Sequence, residues 1–170
     1  DRIATENDPL RPVSRYGRSK AQMERMAWTY TDLPITVVRP PAVYGPRDRD
    51  VLEYLRWMDR GFFPVVGPTQ EPRLSLVHAQ DLVDGFRRAG TRPIAEGETY
   101  FLGGERPYAW AEIRDAAEPA LGRDVRLVRV PGLLVQAAGT GAELWGRLTG
   151  THPPFNRDKA REIRLACTAC

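Results

Sequence analysis

Two spacings of apolar residues alternate along the chain, one typical of amphipathic helices and the other of buried strands. Met23, Met26 and Tyr30 recur at helical spacing, and Ser14 is a suitable N-cap for the helix that they predict. The segment 35–38 is β-branched throughout, which favours a fully buried strand. The pattern predicts helices over 15–31, 48–60, 81–88, 110–121, 131–148 and 156–163, strands over 35–38, 73–77, 98–102 and 125–130, and a short apolar segment over 62–67.

The alternation of helices with strands indicates an α/β fold. A helix, a tight turn and a buried strand in succession form one half of a parallel α/β unit. The parallel strands are too few for a complete doubly wound sheet, so the sequence predicts part of one. The proline-rich segment 39–46 is predicted as a rigid turn at the end of the strand over 35–38, the edge at which open α/β sheets bind ligands.

Tyr16 and Lys20 stand one helical turn apart at the start of the first predicted helix. Residues four apart lie on the same helix face, so the phenol and the ammonium are expected side by side. The pair falls on the edge of the apolar stripe. A lysine there either extends its head group into water or is held in a site.

Composition and charge argue against several classes of function. A net charge of +3 and a hydrophobic fraction of 42% are those of an ordinary globular protein. The arginines are scattered without a basic run, which argues against nucleic-acid binding. No signal peptide opens the chain, and the most apolar window, 131–148, favours an amphipathic helix over a membrane span because charges interrupt it. We therefore expect a cytoplasmic protein.

Cysteine and histidine provide no predicted metal site. Cys167 and Cys170 form one Cys-x-x-Cys pair, which is half of a structural zinc site, and the sequence has no second pair. The two histidines stand far apart, without carboxylates at ligand spacing. We interpret His78 as a structural histidine and Asp81 as the N-cap of the helix over 81–88.

Three motifs in order resemble those of one enzyme family. They are Tyr-Gly-Arg-Ser-Lys at 16–20, Arg-Pro-Pro-Ala-Val-Tyr-Gly-Pro-Arg at 39–47 and Leu-Val-His-Ala-Gln-Asp-Leu at 76–82. Together they resemble the extended short-chain dehydrogenase/reductases, the NAD-dependent epimerase/dehydratase family. The resemblance implies the C-terminal half of a Rossmann-type doubly wound parallel sheet with a small mixed α/β substrate-binding lobe. It assigns 1–46 and 76–104 to the dinucleotide-binding domain, and 47–75 and 105–170 to the lobe.

The resemblance also implies roles for particular residues. Tyr16 would be the general acid/base of hydride transfer, and Lys20 would activate it and contact the nicotinamide ribose. Pro40 and Val43 would line the nicotinamide pocket. The implied cofactor is NAD or NADP, and the implied partner is a small-molecule substrate. A free phenol is a poor base at neutral pH and a neighbouring ammonium favours the phenolate, which explains the pairing.

Parts of the family's active site do not occur in these 170 residues. The family's glycine-rich dinucleotide loop lies upstream of the tyrosine, and no Gly-x-x-Gly-x-x-Gly is present. The catalytic Ser or Thr also lies upstream, at a position that neither Ser14 nor Ser19 matches. By resemblance we expect the C-terminal part of a longer enzyme, inactive by itself. Family members commonly pair through the tyrosine helix, so the resemblance also suggests a homodimer.

Two departures bear on the substrate. Sugar-nucleotide members usually have Asn where Ala42 stands and Arg where Leu74 stands; Arg73 is one place off, which in a strand is the opposite face. In those members the Asn and the Arg bind the phosphates of the nucleotide. Their absence here favours the 3β-hydroxysteroid dehydrogenase-like branch and a weakly charged substrate. A nucleotide-sugar epimerase/dehydratase is the alternative, and a non-catalytic binding or regulatory relative is a further one. Arg47 and Arg73 either contact substrate or cofactor phosphate or simply face solvent.

Overall fold

The described part of the chain alternates helices with short strands. The computed structural model describes residues 4–66, 73–150 and 160, with 147 and 148 described through their backbone alone. The helix predicted over 156–163, apart from helical Ala160, and the cysteine pair lie outside the described residues. In chain order the elements are α1 (Arg15–Ala27), β1 (Val37–Arg39), β2 (Ala42–Tyr44), α2 (Arg49–Asp59), β3 (Phe62–Val66), β4 (Arg73–Leu74), β5 (Leu76–His78), α3 (Ala79–Thr91), the 3₁₀ turn Pro93–Ala95, β6 (Thr99–Phe101), β7 (Tyr108–Ala109), α4 (Trp110–Leu121), β8 (Arg126–Val130) and α5 (Gly132–Thr149).

Most strand pairs in the described residues are parallel. β1 pairs with β6, placing Val38 opposite Tyr100, and β2 pairs with β5, placing Val43 opposite Val77. β3 and β8 are also parallel, whereas β4 and β7 are antiparallel. The prediction of an α/β fold with parallel strands is confirmed.

The first helix is shorter than predicted. α1 ends at Ala27 rather than near Thr31. Beyond it, the amides of Thr29 and Tyr30 donate to the carbonyls of Met26 and Ala27, three residues back. The Thr29 hydroxyl also donates to the Met26 carbonyl at 2.7 Å, and such local side-chain bonds compete with continued helix.

Two strand predictions are wrong in detail. The sequence predicts a turn over 39–46, whereas Ala42–Tyr44 form strand β2 because they find a partner in β5. The strand predicted over 73–77 is divided at buried Ser75: β4 pairs with β7, and β5 pairs with β2. Long-range pairing decides both differences, and local composition does not encode it.

The best-packed core lies among α2, β3, α4 and β8. Met58, Phe63 and Val125 are buried there. The Phe63 ring meets Tyr54 and Trp110 edge to face, with centroids 5.9 and 5.6 Å away, a favourable aromatic geometry. Burial of Tyr54, assisted by the charge of Asp50, raises its pKa above the ordinary phenol value.

Candidate active site

The start of α1 is fixed by a capping bond. The Ser14 hydroxyl accepts a hydrogen bond from the Gly17 amide at 2.9 Å, which confirms the predicted N-cap. A Cβ atom at Gly17 would lie 3.2 Å from the Ser14 hydroxyl oxygen and 3.3 Å from the Pro12 Cβ atom. The glycine therefore lets the preceding loop approach the helix directly beside Tyr16.

Tyr16 and Lys20 lie next to each other on α1. The Lys20 Nζ atom is 5.4 Å from the centroid of the Tyr16 ring, as the four-residue spacing predicts. Tyr16 is 64% exposed, and Lys20 is exposed as well. Within the described residues, Lys20 forms no ion pair and the phenol oxygen of Tyr16 has no hydrogen-bond partner. Both polar groups are therefore open to a ligand.

Pro40 and Val43 lie just beyond the C-terminal end of β1. Pro40 directly follows β1 and is exposed, and Val43 is the central residue of β2. All three residues of β2 are exposed, although β5 lies beside them. The segment thus presents an exposed surface at the sheet edge where the family resemblance implies a nicotinamide pocket.

His78 joins the end of β5 to the start of α3. Its Nδ1 atom accepts a hydrogen bond from the Gln80 amide at 3.3 Å, and its ring meets that of Tyr44 edge to face at 5.3 Å. These are the contacts of a structural histidine. The predicted N-cap role of Asp81 is wrong, because α3 begins two residues earlier at Ala79. Asp81 instead lies in the first turn, where its charge suits the helix dipole.

The two candidate arginines lie on different elements. Arg47 is exposed and has a φ of 73°, which is unusual for a residue other than glycine. Arg73 is exposed at the start of β4, opposite Ala109. Among the described residues, no hydrogen bond, ion pair or ring contact joins either arginine to Tyr16 or Lys20. The structure therefore brings together the tyrosine and the lysine, and not the arginines with them.

An ion pair near Arg73 orders the start of α4. The Glu112 carboxylate accepts from the Ala109 amide and pairs with Arg106, both at 2.7 Å. The Arg106 guanidinium also lies 4.6 Å from the Tyr108 ring centroid. The hydrogen bond from Arg106, then that from the Ala109 amide, lower the pKa of Glu112 from 4.5 to about 2, with a smaller contribution from the charge of Arg73.

Sequence reasoning missed a half-buried network around Arg39. Its guanidinium donates to both carboxylate oxygens of Glu24, at 3.1 and 2.5 Å, and to the Glu6 carbonyl at 3.1 Å. The guanidinium also lies 5.6 Å from the Phe101 ring centroid. The Phe101 amide donates to the Glu6 carboxylate at 3.0 Å, and this bond is the main cause that lowers the pKa of Glu6. Arg39 and Glu24 are 15 residues apart in the chain, so no local spacing in the sequence signals their pairing.

The described residues contain neither a metal-binding cluster nor a membrane-spanning helix. Residues 4–66 and 73–150 contain no group of three or more His, Cys, Asp or Glu side chains that could hold a metal ion. None of the helices in these ranges has both the length and the apolar composition to cross a membrane.

Comparison with known proteins decides the family. The family model of the NAD dependent epimerase/dehydratase family matches residues 1–103, which is more than half of the chain. The chain belongs to this family. The resemblance drawn from the three motifs is thereby confirmed.

Proteins similar to this chain are named for different activities. The chain is 32% identical over 155 residues to the ceramide reductase of Caulobacter vibrioides, a match that covers 89% of this chain and 47% of the relative. It is 25% identical over 171 residues to an uncharacterized UDP-glucose epimerase, YtcB, of Bacillus subtilis, covering 96% of this chain and 52% of the relative. The chain thus spans about half the length of these curated relatives.

The fold of the family member is that of solved epimerases. The UDP-glucuronic acid 4-epimerase of Bacillus cereus, solved with UDP-glucuronic acid and NAD, superposes with a TM-score of 0.66 at 21% identity, covering 77% of this chain and 44% of that one. The Rossmann-type assignment is confirmed by this likeness. The preference for the 3β-hydroxysteroid dehydrogenase-like branch is not supported by these comparisons.

Proposed function

We propose that the full-length protein is a nicotinamide-dinucleotide-dependent enzyme that transfers hydride between the cofactor and a substrate alcohol or carbonyl. The observation that carries the proposal is the contact of Lys20 with Tyr16, 5.4 Å from ammonium to ring centroid, on an exposed helix face of an epimerase/dehydratase family member. Such a pair supplies a phenol that can accept and return a proton, and a positive charge close to it.

Tyr16 is proposed to move the proton of the reaction. When an alcohol is oxidised, the phenolate oxygen takes the hydroxyl proton as the carbon releases its hydride, and the reverse reaction returns both. The nicotinamide, when bound, accepts and returns that hydride. The role proposed for the Lys20 ammonium, 5.4 Å from the centroid of the Tyr16 ring, is to stabilise the negative charge that the phenol oxygen carries during the reaction.

The residues present fit the nicotinamide end of such a cofactor. Lys20 offers ammonium donors that no described residue engages in an ion pair, and ribose hydroxyls are suitable acceptors. Pro40 and Val43 offer an exposed backbone and side-chain surface at the sheet edge. The dinucleotide's phosphates require a glycine-rich loop that is not among these 170 residues.

We also propose that the chain contains the two functional units that the family resemblance implies. Residues 1–46 and 76–104 belong to the dinucleotide-binding domain, and 47–75 and 105–170 to the substrate lobe. Strand pairing supports this division, because β1–β6 and β2–β5 each join the two ranges of the first unit. The pairs β3–β8 and β4–β7 likewise join the two ranges of the second.

The proposed substrate is a weakly charged alcohol or ketone. Ala42 and Leu74 cannot bind a phosphate through their side chains, and they stand where sugar-nucleotide enzymes usually have Asn and Arg. In agreement, the ceramide reductase relative is named for a substrate without a nucleotide. A nucleotide-sugar epimerase or dehydratase is the second candidate, favoured by the relative named as a UDP-glucose epimerase.

A substrate panel on the full-length protein separates these candidates. Absorbance of reduced nicotinamide is followed in one arm with long-chain hydroxy lipids plus NAD or NADP, and with keto lipids plus NADH or NADPH. The other arm uses UDP- and dTDP-sugars, with product chromatography because epimerisation leaves the cofactor unchanged overall. Turnover of lipids alone supports the main proposal, and turnover of nucleotide sugars supports the second. A protein that binds cofactor and turns over neither class is the non-catalytic relative, and the proposal is then wrong.

A further inference from the structure

Arg39 is the last residue of β1 and bridges three segments of the chain. Its guanidinium holds the Glu24 carboxylate in a two-bond pairing and also binds the Glu6 carbonyl. The Arg39 and Glu24 side chains are only 17% and 13% exposed. A planar guanidinium with two bonds to one carboxylate fixes orientation as well as distance, which a single contact does not.

Glu24 lies on the helix that carries the proposed acid/base. It is one turn after Lys20 and two turns after Tyr16, on α1. Among the 13 residues of α1, only Ala21 is buried in the described structure. Apolar packing of the helix against these residues is therefore sparse, and the Arg39–Glu24 pair joins the helix directly to the end of β1.

The other end of the pair lies beside the proposed cofactor segment. Pro40 directly follows Arg39 in the chain. The Glu6 carboxylate, bound to the Phe101 amide at 3.0 Å, ties the same network to the neighbouring strand β6. A shift of the guanidinium would thus move the tyrosine helix relative to the edge where Pro40 and Val43 lie.

We propose that Arg39 is a positioning residue, which through Glu24 sets the distance between the Tyr16–Lys20 helix and the cofactor-binding edge of the sheet. The inference rests on the proposed function, because it concerns the geometry of that hydride transfer. Misplacement of a reacting group by about 1 Å costs on the order of 100-fold in rate.

The test is Arg39→Lys in the full-length protein. Lysine keeps the charge, and loses the two-bond geometry. We expect kcat to fall by about 10- to 100-fold with little change in KM for cofactor and substrate. A merely structural role would lower the urea midpoint of unfolding and leave kcat of the folded enzyme unchanged, which would overturn the proposal.

Two further variants complete the test. Glu24→Gln removes the ion pair from the other side and has the same expected result, so it replaces Arg39→Lys if that variant does not fold. Arg56→Lys is the matched control, because the Arg56–Glu53 pair is about 60% exposed and should contribute little.

The outcome of Tyr16→Phe separates the two proposals. If that variant retains full activity, the proposed function is wrong whatever Arg39 does. If it is inactive while both Arg39→Lys and Glu24→Gln retain wild-type kcat, the positioning role alone is wrong.

Discussion

Arg47 lies in the left-handed region of backbone space, and replacing it with glycine should stabilise the protein. Its φ of 73° is a conformation that costs a residue with a side chain about 1–2 kcal/mol. Glycine adopts it without that cost, and loses about 0.5–1 kcal/mol of additional backbone entropy on folding. The difference predicts that Arg47→Gly raises the free energy of unfolding by about 0.5–1 kcal/mol.

The assay is urea unfolding of the full-length protein, followed by circular dichroism. The matched control is Arg56→Gly, which places glycine inside α2 and removes an exposed ion pair with Glu53. Glycine in a helix interior costs about 1 kcal/mol, so the two variants should change stability in opposite directions. A fall in the urea midpoint for Arg47→Gly, like that of the control, would refute the reasoning.

Two further predictions concern the proposed substrate lobe. Phe63 is 1% exposed and Phe62, beside it on β3, is 48% exposed. We expect Phe63→Ala to lower the free energy of unfolding by about 3–5 kcal/mol and Phe62→Ala by about 1 kcal/mol or less, and equal losses would contradict the described core. The lowered pKa of Glu112 stabilises the folded state above about pH 4.5, and that contribution is lost as the pH falls towards 2. The stability difference between wild type and Glu112→Gln should therefore shrink between pH 4.5 and pH 2, and a constant difference would show that the pair with Arg106 does not set that pKa.

The sequence predicts the elements better than it predicts their partners. The start of the helix containing Tyr16 and the strand 125–130 follow from local periodicity and appear in the structure almost as expected. Strand β2 is not predicted because Pro40 and Pro41 favour a turn. Pairing with β5 makes Ala42–Tyr44 a strand instead. The end of α1 is not predicted either, because the Thr29 hydroxyl competes for the Met26 carbonyl in its last turn.

Some features of the candidate site also follow from local sequence, and others depend on tertiary structure. The contact between Tyr16 and Lys20 follows from helical geometry alone, so its spacing was sufficient. The pairing of Arg39 with Glu24 joins residues 15 apart in the chain through tertiary structure, and no local pattern predicts it. The sequence pattern begins a helix at Asp81 and so predicts Asp81 as its N-cap, whereas the helix begins at Ala79 with His78 as its N-cap.

The most direct test of the central claim is the activity of Tyr16→Phe in the full-length protein. Tyr30→Phe is the matched control, because Tyr30 is also an exposed tyrosine, three residues beyond the end of α1. Removal of a general acid/base should lower kcat by about 10²- to 10⁴-fold while cofactor affinity, measured by fluorescence titration with reduced nicotinamide, is retained. Tyr30→Phe should be as active as wild type. Comparable activity of Tyr16→Phe and Tyr30→Phe would contradict the account.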